Sequence, residues 1–435
     1  MAVHASTQER EEHATDDQRA TTVAILRVLF GDEFARAFAV RLWDGTTIES
    51  REPARFTLLV NAPEALRAAL LPPGELNAGR AFVYGLLDCE GDLEAAVGAL
   101  QGAFGGLQPR VLPSLLALIL RLPKPISFDH AGEARLRGRK HSLERDRAAI
   151  GFHYDQPIAF YRSFLDREMV YSCAYFDERA TTLDEAQIAK IDHVLRKLRV
   201  QTGERLLDIG CGWGALVVRA AERFGARVLG VTLSQSQYEE ANRRIQTAGI
   251  TATARVELRD YRQLRSEQPF DKIVSVGMFE HVGRSHLPEY FSTASALLRP
   301  GGLFLNHGIA ARSGPRHSTL REGFVERFVF PDGELIPIGE ALQIAERSGF
   351  EVRDIENLRE HYARTLRCWV ANIERNRTAA VEAADERTFR VWRLYMAGSA
   401  QGFASGRMGI HQSLLAKPTS SGSVDMPATR RDLYL

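Results

Sequence analysis

A chain of 435 residues is long enough for two or three domains, and 45% hydrophobic with 26% charged residues is the composition of an ordinary soluble globular protein. A formal net charge of +1 gives no overall bias toward nucleic acid. Cys89, Cys173, Cys211 and Cys368 form no C-x-x-C pair, so neither a zinc site nor a disulfide framework is indicated, no metal is expected, and a reducing cytoplasm fits.

In chain order, residues 1–20 are polar, lack the apolar run of a secretory signal and read as a mobile tail. Residues 21–106 read as a small α+β domain. Its elements are a helix near 20–30, alternating residues in Phe38–Trp43, a hairpin turn at Asp44-Gly45, strands at Thr46–Glu49 and Phe56–Val60, a helix after Pro63, and a turn-interrupted strand and helix over Ala81–Leu100. No cluster of titratable side chains there points to chemistry, so binding, docking or dimerisation is expected of it. Residues 107–147 read as a linker with Pro109, Pro113, Pro123 and Pro125, followed by Arg135, Arg137, Arg139, Lys140, Arg145 and Arg147. Two roles stay open for it: contact with anionic lipid beside Leu115–Leu122, or a solvated helix face packing through its leucines. The apolar stretch Val111–Leu122 is interrupted by Pro113 and Arg121 and is shorter than the ~20 residues that span a bilayer.

Residues 148–417 alternate strands and helices as a doubly wound, Rossmann-like parallel sheet requires, with strands at Arg205–Ile209, Arg227–Val231, Ala254–Leu258, Lys272–Val276 and Leu303–Asn306. Residues 418–435 read as a disordered tail.

The segment Leu206-Leu-Asp-Ile-Gly-Cys-Gly-Trp-Gly214 ends an apolar strand with an acid, Asp208, and three glycines, Gly210, Gly212 and Gly214, before a helix over Ala215–Phe224. Glycines allow a ligand to approach the backbone, but the spacing is not G-x-G-x-x-G and no P-loop lysine follows. An acid in such a turn suits a cationic ligand better than a pyrophosphate, and S-adenosylmethionine, with its sulfonium and ammonium, meets that demand. After the second strand, Gly230–Gln237 lacks the acid that usually holds a ribose. Thr232 and Gln237 can supply hydrogen bonds instead, while Ser234 can cap the helix, and the two readings are compatible.

The fourth strand runs into Gly277-Met-Phe-Glu280-His281-Val-Gly283 at the same carboxyl edge. Glu280 is favoured as functional, and His281 stays open. The next strand delivers His307, converging on Glu280. His153-Tyr154-Asp155 and Tyr171-Ser172-Cys173-Ala174-Tyr175 lie upstream, in segments able to fold over the crevice. Cys173 has no adjacent base, so packing outweighs a nucleophilic role. The aromatic helical region through Phe389–Met396 is either core or the lining for an acyl chain.

Taken in order, His153-Tyr154-Asp155, Tyr171–Phe176, Glu185-Ala186-Gln187, Asp208–Gly214, Thr232-Leu-Ser-x-x-Gln237, Phe279-Glu280-His281 and His361-Tyr362 resemble the cyclopropane-fatty-acyl-phospholipid synthases, relatives of the mycolic acid cyclopropane synthases. The resemblance covers about residues 148–417. It implies methyl transfer from S-adenosylmethionine to a cis double bond of a phospholipid acyl chain, with Tyr154, Tyr171, Ser172, Asp208, Gly210, Gly212, Thr232 and Gln237 holding the cofactor. It also implies a bicarbonate ion as base, held through Cys173, Glu280, His307, Ile309 and Tyr362. The N-terminal domain resembles a sterol-carrier-like fold that helps dimerisation and lipid engagement. A phospholipid bilayer and a second copy of the chain are the partners implied, at the inner membrane face. Two departures stand out: His307-Gly308-Ile309 where the family often has His-Thr-Ile, and Leu335-Ile-Pro-Ile338 where it has Leu-Pro-Ser, a place where the acyl substrate is expected. A methylene-forming relative is the alternative enzyme, and a lipid carrier the alternative without catalysis.

Overall fold

The computed structural model describes residues 2–32, 37–125, 127–128, 130, 132–154, 156–312 and 323–433, with side chains from residue 14 onward. Asp155 of the upstream motif lies outside the described residues. The chain divides into two units. The first contains the chain up to Glu133, the short helix Phe324–Phe328 and the stretch Glu386–Gln401. Its sheet has the order β2-β1-β3-β4, with β1 Ala39–Leu42, β2 Thr47–Ile48, β3 Phe56–Val60 and β4 Leu87–Gly91. β1 and β2 form the expected antiparallel hairpin, whose turn is closed by the Thr46 N–H donating to Asp44 Oδ1 at 2.8 Å.

Three expectations need correction. A helix, Ala2–Phe30, occupies the segment read as a tail, and its later turns bury Thr22, Ile25, Leu26 and Leu29 at helical spacing. The stretch 107–147 is not one linker. Pro109–Val111 forms a turn and Leu112–Arg121 a helix that tolerates Pro113 because it sits in the first turn, where no intrahelical N–H is needed. The division between units falls after Glu133, whose carboxylate Arg80 grips with two bonds of 2.8 Å. Residues 148–417 are likewise not one unit. The helix Glu386–Ala404 carries Phe389, Trp392, Tyr395 and Met396, all buried, and its part up to Gln401 belongs to the first unit. There Arg390 donates to the carbonyls of Phe82 and Leu87 and to Asp88 Oδ2, and Arg393 to the carbonyl of Cys89.

The second unit holds an eight-stranded sheet among the described residues. Its strands are β5 Arg205–Ile209, β6 Arg227–Thr232, β7 Ala254–Leu258, β8 Phe270–Val276, β9 Leu298–Ala311, β10 Ile336–Pro337, β11 Glu351–Asn357 and β12 Met408–Ala416. The order is β7-β6-β5-β8-β9-β12-β11, with β10 beside β9. β7, β6, β5, β8 and β9 run parallel, and β12 lies antiparallel between β9 and β11. Both faces are covered. Leu206, Val228, Val274, Leu305 and Leu414 bury into one core, and Leu207, Leu229, Ile273, Phe304 and Leu415 into the other, the period of two that strands impose. The sequence order reverses between β5 and β8, which opens a crevice at their carboxyl ends. The terminal stretch is tied to this unit: Asp425 pairs with Arg299 at 2.6 Å, Arg430 with Asp354 at 2.7 Å and Asp432 with Arg199 at 2.7 Å. Its charged residues anchor a segment whose low apolar content read as disorder.

Candidate active site

A pocket opens at the carboxyl ends of β5, β6 and β8, and every residue lining it belongs to the second unit. The eight residues expected to hold the cofactor, Tyr154, Tyr171, Ser172, Asp208, Gly210, Gly212, Thr232 and Gln237, all line it. The β5 turn has the left-handed backbone that glycine favours. At Gly214 (φ +84°) a Cβ would come within 2.8 Å of Ala241, whereas at Gly212 (φ +53°) it would enter open space. The turn therefore packs tightly against the helix Gln235–Thr247 on one side and leaves room for a ligand on the other. Asp208 is 3% exposed, and burial pushes its carboxyl up to about 7 despite the nearby Lys190 ammonium.

Lys190 also lines the pocket, and it was not singled out from the sequence. Its Nζ donates to Ser172 Oγ at 3.0 Å, and burial lowers its pKa to about 8. The helix Leu183–Lys197 begins with a capping box in which Thr182 and Glu185 satisfy each other's backbone N–H groups. It buries Leu183, Ala186, Gln187, Lys190, Ile191 and Val194. A lysine in the apolar stripe of an amphipathic helix was the signal available in the sequence. One turn earlier, Gln187 Nε2 donates to the carbonyls of Val170 and Ser172 at 3.2 and 2.9 Å, fixing the segment that carries Tyr171 and Ser172. On β6, Thr232 Oγ1 donates to Gln237 Oε1 at 2.8 Å at the pocket wall while Ser234 caps the helix, as its capping reading expected. Arg262, bonded to Asp260 and Asp146 at 2.7 and 2.9 Å, adds an ion-pair network to the wall. His281 lines the pocket as well, kept neutral by burial that lowers its pKa to about 4. A buried acid, paired hydroxyl and amide groups, and apolar Leu233, Met278 and Tyr261 fit the demands of S-adenosylmethionine.

The five residues expected at the reacting centre do not line this pocket. Tyr171 and Ser172 face the pocket and Cys173 follows; Met278 faces it and Glu280 follows Phe279. The Cys173 thiol lies 3.7 Å from the Leu358 carbonyl, which also accepts the Tyr362 N–H at 3.0 Å. The Leu358 N–H donates to the carbonyl of Ile410 on β12, opposite Ile309 on β9. The Ile309 N–H in turn donates to Glu280 Oε1 at 2.6 Å. This strand-to-strand chain links Cys173, Tyr362, Ile309 and Glu280, and His307 lies two residues before Ile309 on β9. The Ile309 N–H is thus occupied by Glu280 and acts by orienting that carboxylate.

Burial sets the protonation of the cluster. It pushes Glu280 up to about 7, drives His307 well below its ordinary value, and raises the Cys173 thiol, which favours the neutral thiol over a thiolate. Gln412 Nε2 lies 3.4 Å from His307 Nδ1, an arrangement that puts the proton of the neutral ring on Nε2. Both His307 Nε2 and Glu280 Oε2 are buried with no hydrogen-bond partner among the described residues. Such atoms are costly unless a water or small polar group meets them. Of the two departures, Gly308 has a local cause: a Cβ there would come within 2.9 Å of Phe279, itself 2% exposed. Ile336, in the other, is fully buried on β10 and packs into the core on one face of the sheet.

The model of the mycolic acid cyclopropane synthetase family matches residues 141–413. A probable fatty acid methyltransferase of Pseudomonas putida is 40% identical over 397 residues, covering 91% of this chain and 95% of its own. The tuberculostearic acid methyltransferase UfaA1 of Mycobacterium tuberculosis is 33% identical over 388 residues, 86% of each chain. The crystal structure of mycolic acid cyclopropane synthase CmaA1 complexed with SAH and CTAB superposes with a TM-score of 0.59 at 36% identity, covering 62% of this chain and 97% of that one.

Proposed function

The chain belongs to the mycolic acid cyclopropane synthetase family and is an S-adenosylmethionine-dependent methyltransferase, and from that premise we propose that it builds cyclopropane rings on unsaturated acyl chains of membrane phospholipids. The observation that carries the reading is the pair of buried, unsatisfied polar atoms, Glu280 Oε2 and His307 Nε2, next to the pocket wall. A methyltransferase acting on a hydroxyl or amine needs only a base at the attacking atom. An alkene acceptor gives a carbocation instead, and ring closure then requires removal of a proton from the newly added methyl. Bound in the Asp208–Gly214 pocket, the cofactor supplies an electrophilic methyl. Glu280, whose carboxyl burial pushes up to about 7, provides in its ionised form a protected place for the departing proton, and the neutral His307 can donate a hydrogen bond from Nε2 beside it. A small anion such as bicarbonate fits the same place. Glu280 keeping its proton, His307 Nε2 and Tyr362 would hold it, and it would supply the base and a negative charge beside the cation. The proposal includes a cytoplasmic homodimer working peripherally at the inner membrane face.

Incubation with S-adenosylmethionine and an oleoyl or vaccenoyl phospholipid, followed by mass spectrometry and proton NMR, tests this reading. A one-carbon gain with ring protons is the expected result, and no gain at all would sink it. A second reading, a methylene or methyl-branched product, is favoured by the tuberculostearic acid methyltransferase, whose similarity extends over 86% of both chains. Vinylidene protons in the product would establish it.

A further inference from the structure

In the first unit, the helix Leu112–Arg121 buries one side and exposes the other. Leu115 and Ile119 are 5% and 4% exposed, whereas Leu112, Leu116 and Leu120, also one turn apart, are 50%, 45% and 51% exposed. Phe104, near the end of the preceding helix Leu93–Gly106, is 36% exposed. Three leucines in line on one helix differ from the scattered apolar residues of an ordinary surface. The helix is firmly held, since Arg67 donates to the carbonyls of Leu120 and Leu122 at 3.2 and 2.6 Å. The charge within its own segment of the chain is one-sided, its carboxylate partner coming from Asp17 of the first helix. The protein has 56 basic and 55 acidic residues overall, yet between Glu94 and Asp129 there is no carboxylate side chain, only Arg110, Arg121 and Lys124. Arg121 pairs with Asp17 at 2.6 Å, and Arg110 and Lys124 are exposed.

We propose that this face, Leu112, Leu116 and Leu120 with Phe104, flanked by Arg110 and Lys124, is the surface that seats the protein on an anionic phospholipid bilayer; this rests on the reading of the acceptor as a membrane lipid. The leucines enter the acyl boundary while the cations stay among the phosphates. Ten residues of helix extend only ~15 Å, about half the hydrocarbon thickness, and the chain bends by 95° from the preceding helix. The helix therefore lies in the interface. A second copy of the chain is the competing occupant, but a two-fold contact through this face would oppose Arg110 and Lys124 to their own counterparts, with no carboxylate in the segment to neutralise them.

Flotation of the full-length protein with phosphatidylglycerol-containing vesicles, compared with pure phosphatidylcholine, tests the surface. The wild type should float with the anionic vesicles, and less so as salt is raised. Leu112→Glu/Leu116→Glu/Leu120→Glu, changed only at exposed positions, should bind at least ~10-fold more weakly. Leu116→Glu alone should show a several-fold loss, which keeps the test available if the triple variant folds poorly. Transfer by these variants to lipid dispersed in detergent micelles should persist while transfer to vesicles falls. Wild-type flotation of both Leu→Glu variants would overturn the proposal, as would a shift from dimer to monomer with vesicle binding intact. A wild type that floats but methylates no lipid in micelles or vesicles would overturn the acceptor reading and leave the surface standing.

Discussion

Asp208 is a carboxyl group buried where its charge is costly, so the ligand it meets decides its protonation. Its folded pKa of about 7 lies above the ordinary carboxylate value of roughly 4. Its contribution to the stability of the ligand-free protein is therefore full below about pH 4 and is lost as the pH rises through 7. A cationic cofactor favours the ionised form, so S-adenosylmethionine should bind more tightly at about pH 8 than at about pH 6 and release a proton near pH 7. Calorimetry in two buffers of different ionisation enthalpy measures both effects, and Asp208→Asn should flatten the slope. A flat wild-type profile would remove Asp208 from contact with the cation. Glu280 is expected to act on turnover instead. Glu280→Gln should lower kcat by about 10²–10⁴-fold and change cofactor affinity little, and Tyr362→Phe should follow the same pattern more mildly. Loss of cofactor binding with turnover of the bound enzyme intact would contradict these roles.

Among elements, β9 does the most positioning. It carries His307 and Ile309 and, through the Ile309 N–H, aims Glu280, which sits on a short turn after β8. Gly308 is the close-packed point of that arrangement. Gly308→Thr would push Phe279 away and should cost about 1–3 kcal/mol in denaturant unfolding together with a drop in kcat at unchanged cofactor affinity. Unchanged stability would mean that the turn yields freely. β5 and β7 and the helix Ala215–Phe224 lie on the residues expected from the sequence, because a buried parallel strand is a continuous apolar run and glycines mark both ends of that helix. The residues lining the pocket at the β5 turn were legible for the same reason: the turn chemistry at a strand end is local. Lys190 was less legible, since its role depends on Ser172, eighteen residues away, reached only through the fold. The helix Glu386–Ala404 shows the limit most plainly. Its aromatic periodicity marks a buried stripe, but periodicity does not say against which unit the stripe is buried.

For the whole molecule, the stretch after Lys417 is a strap on the second unit. Removing it would leave Arg299 and Arg199 without Asp425 and Asp432 and strip Arg430 from the buried Asp354, which keeps Lys197 at 3.7 Å. Because the tail partners are half-exposed, a chain ending at Lys417 should lose only about 1–2 kcal/mol, read as a melting temperature lower by a few degrees in calorimetry. An unchanged melting temperature would make these pairs superficial. The division into units also has a consequence in time. A ribosome delivers the chain from its amino end, yet the first unit is finished only when Arg390 and Arg393 arrive to satisfy the carbonyls of Phe82, Leu87 and Cys89. Some 240 residues of the other unit are made in between. The nascent amino-terminal sheet waits, partly unclothed, through most of synthesis, and a chain cut short between residues 134 and 386 leaves two unfinished units instead of one.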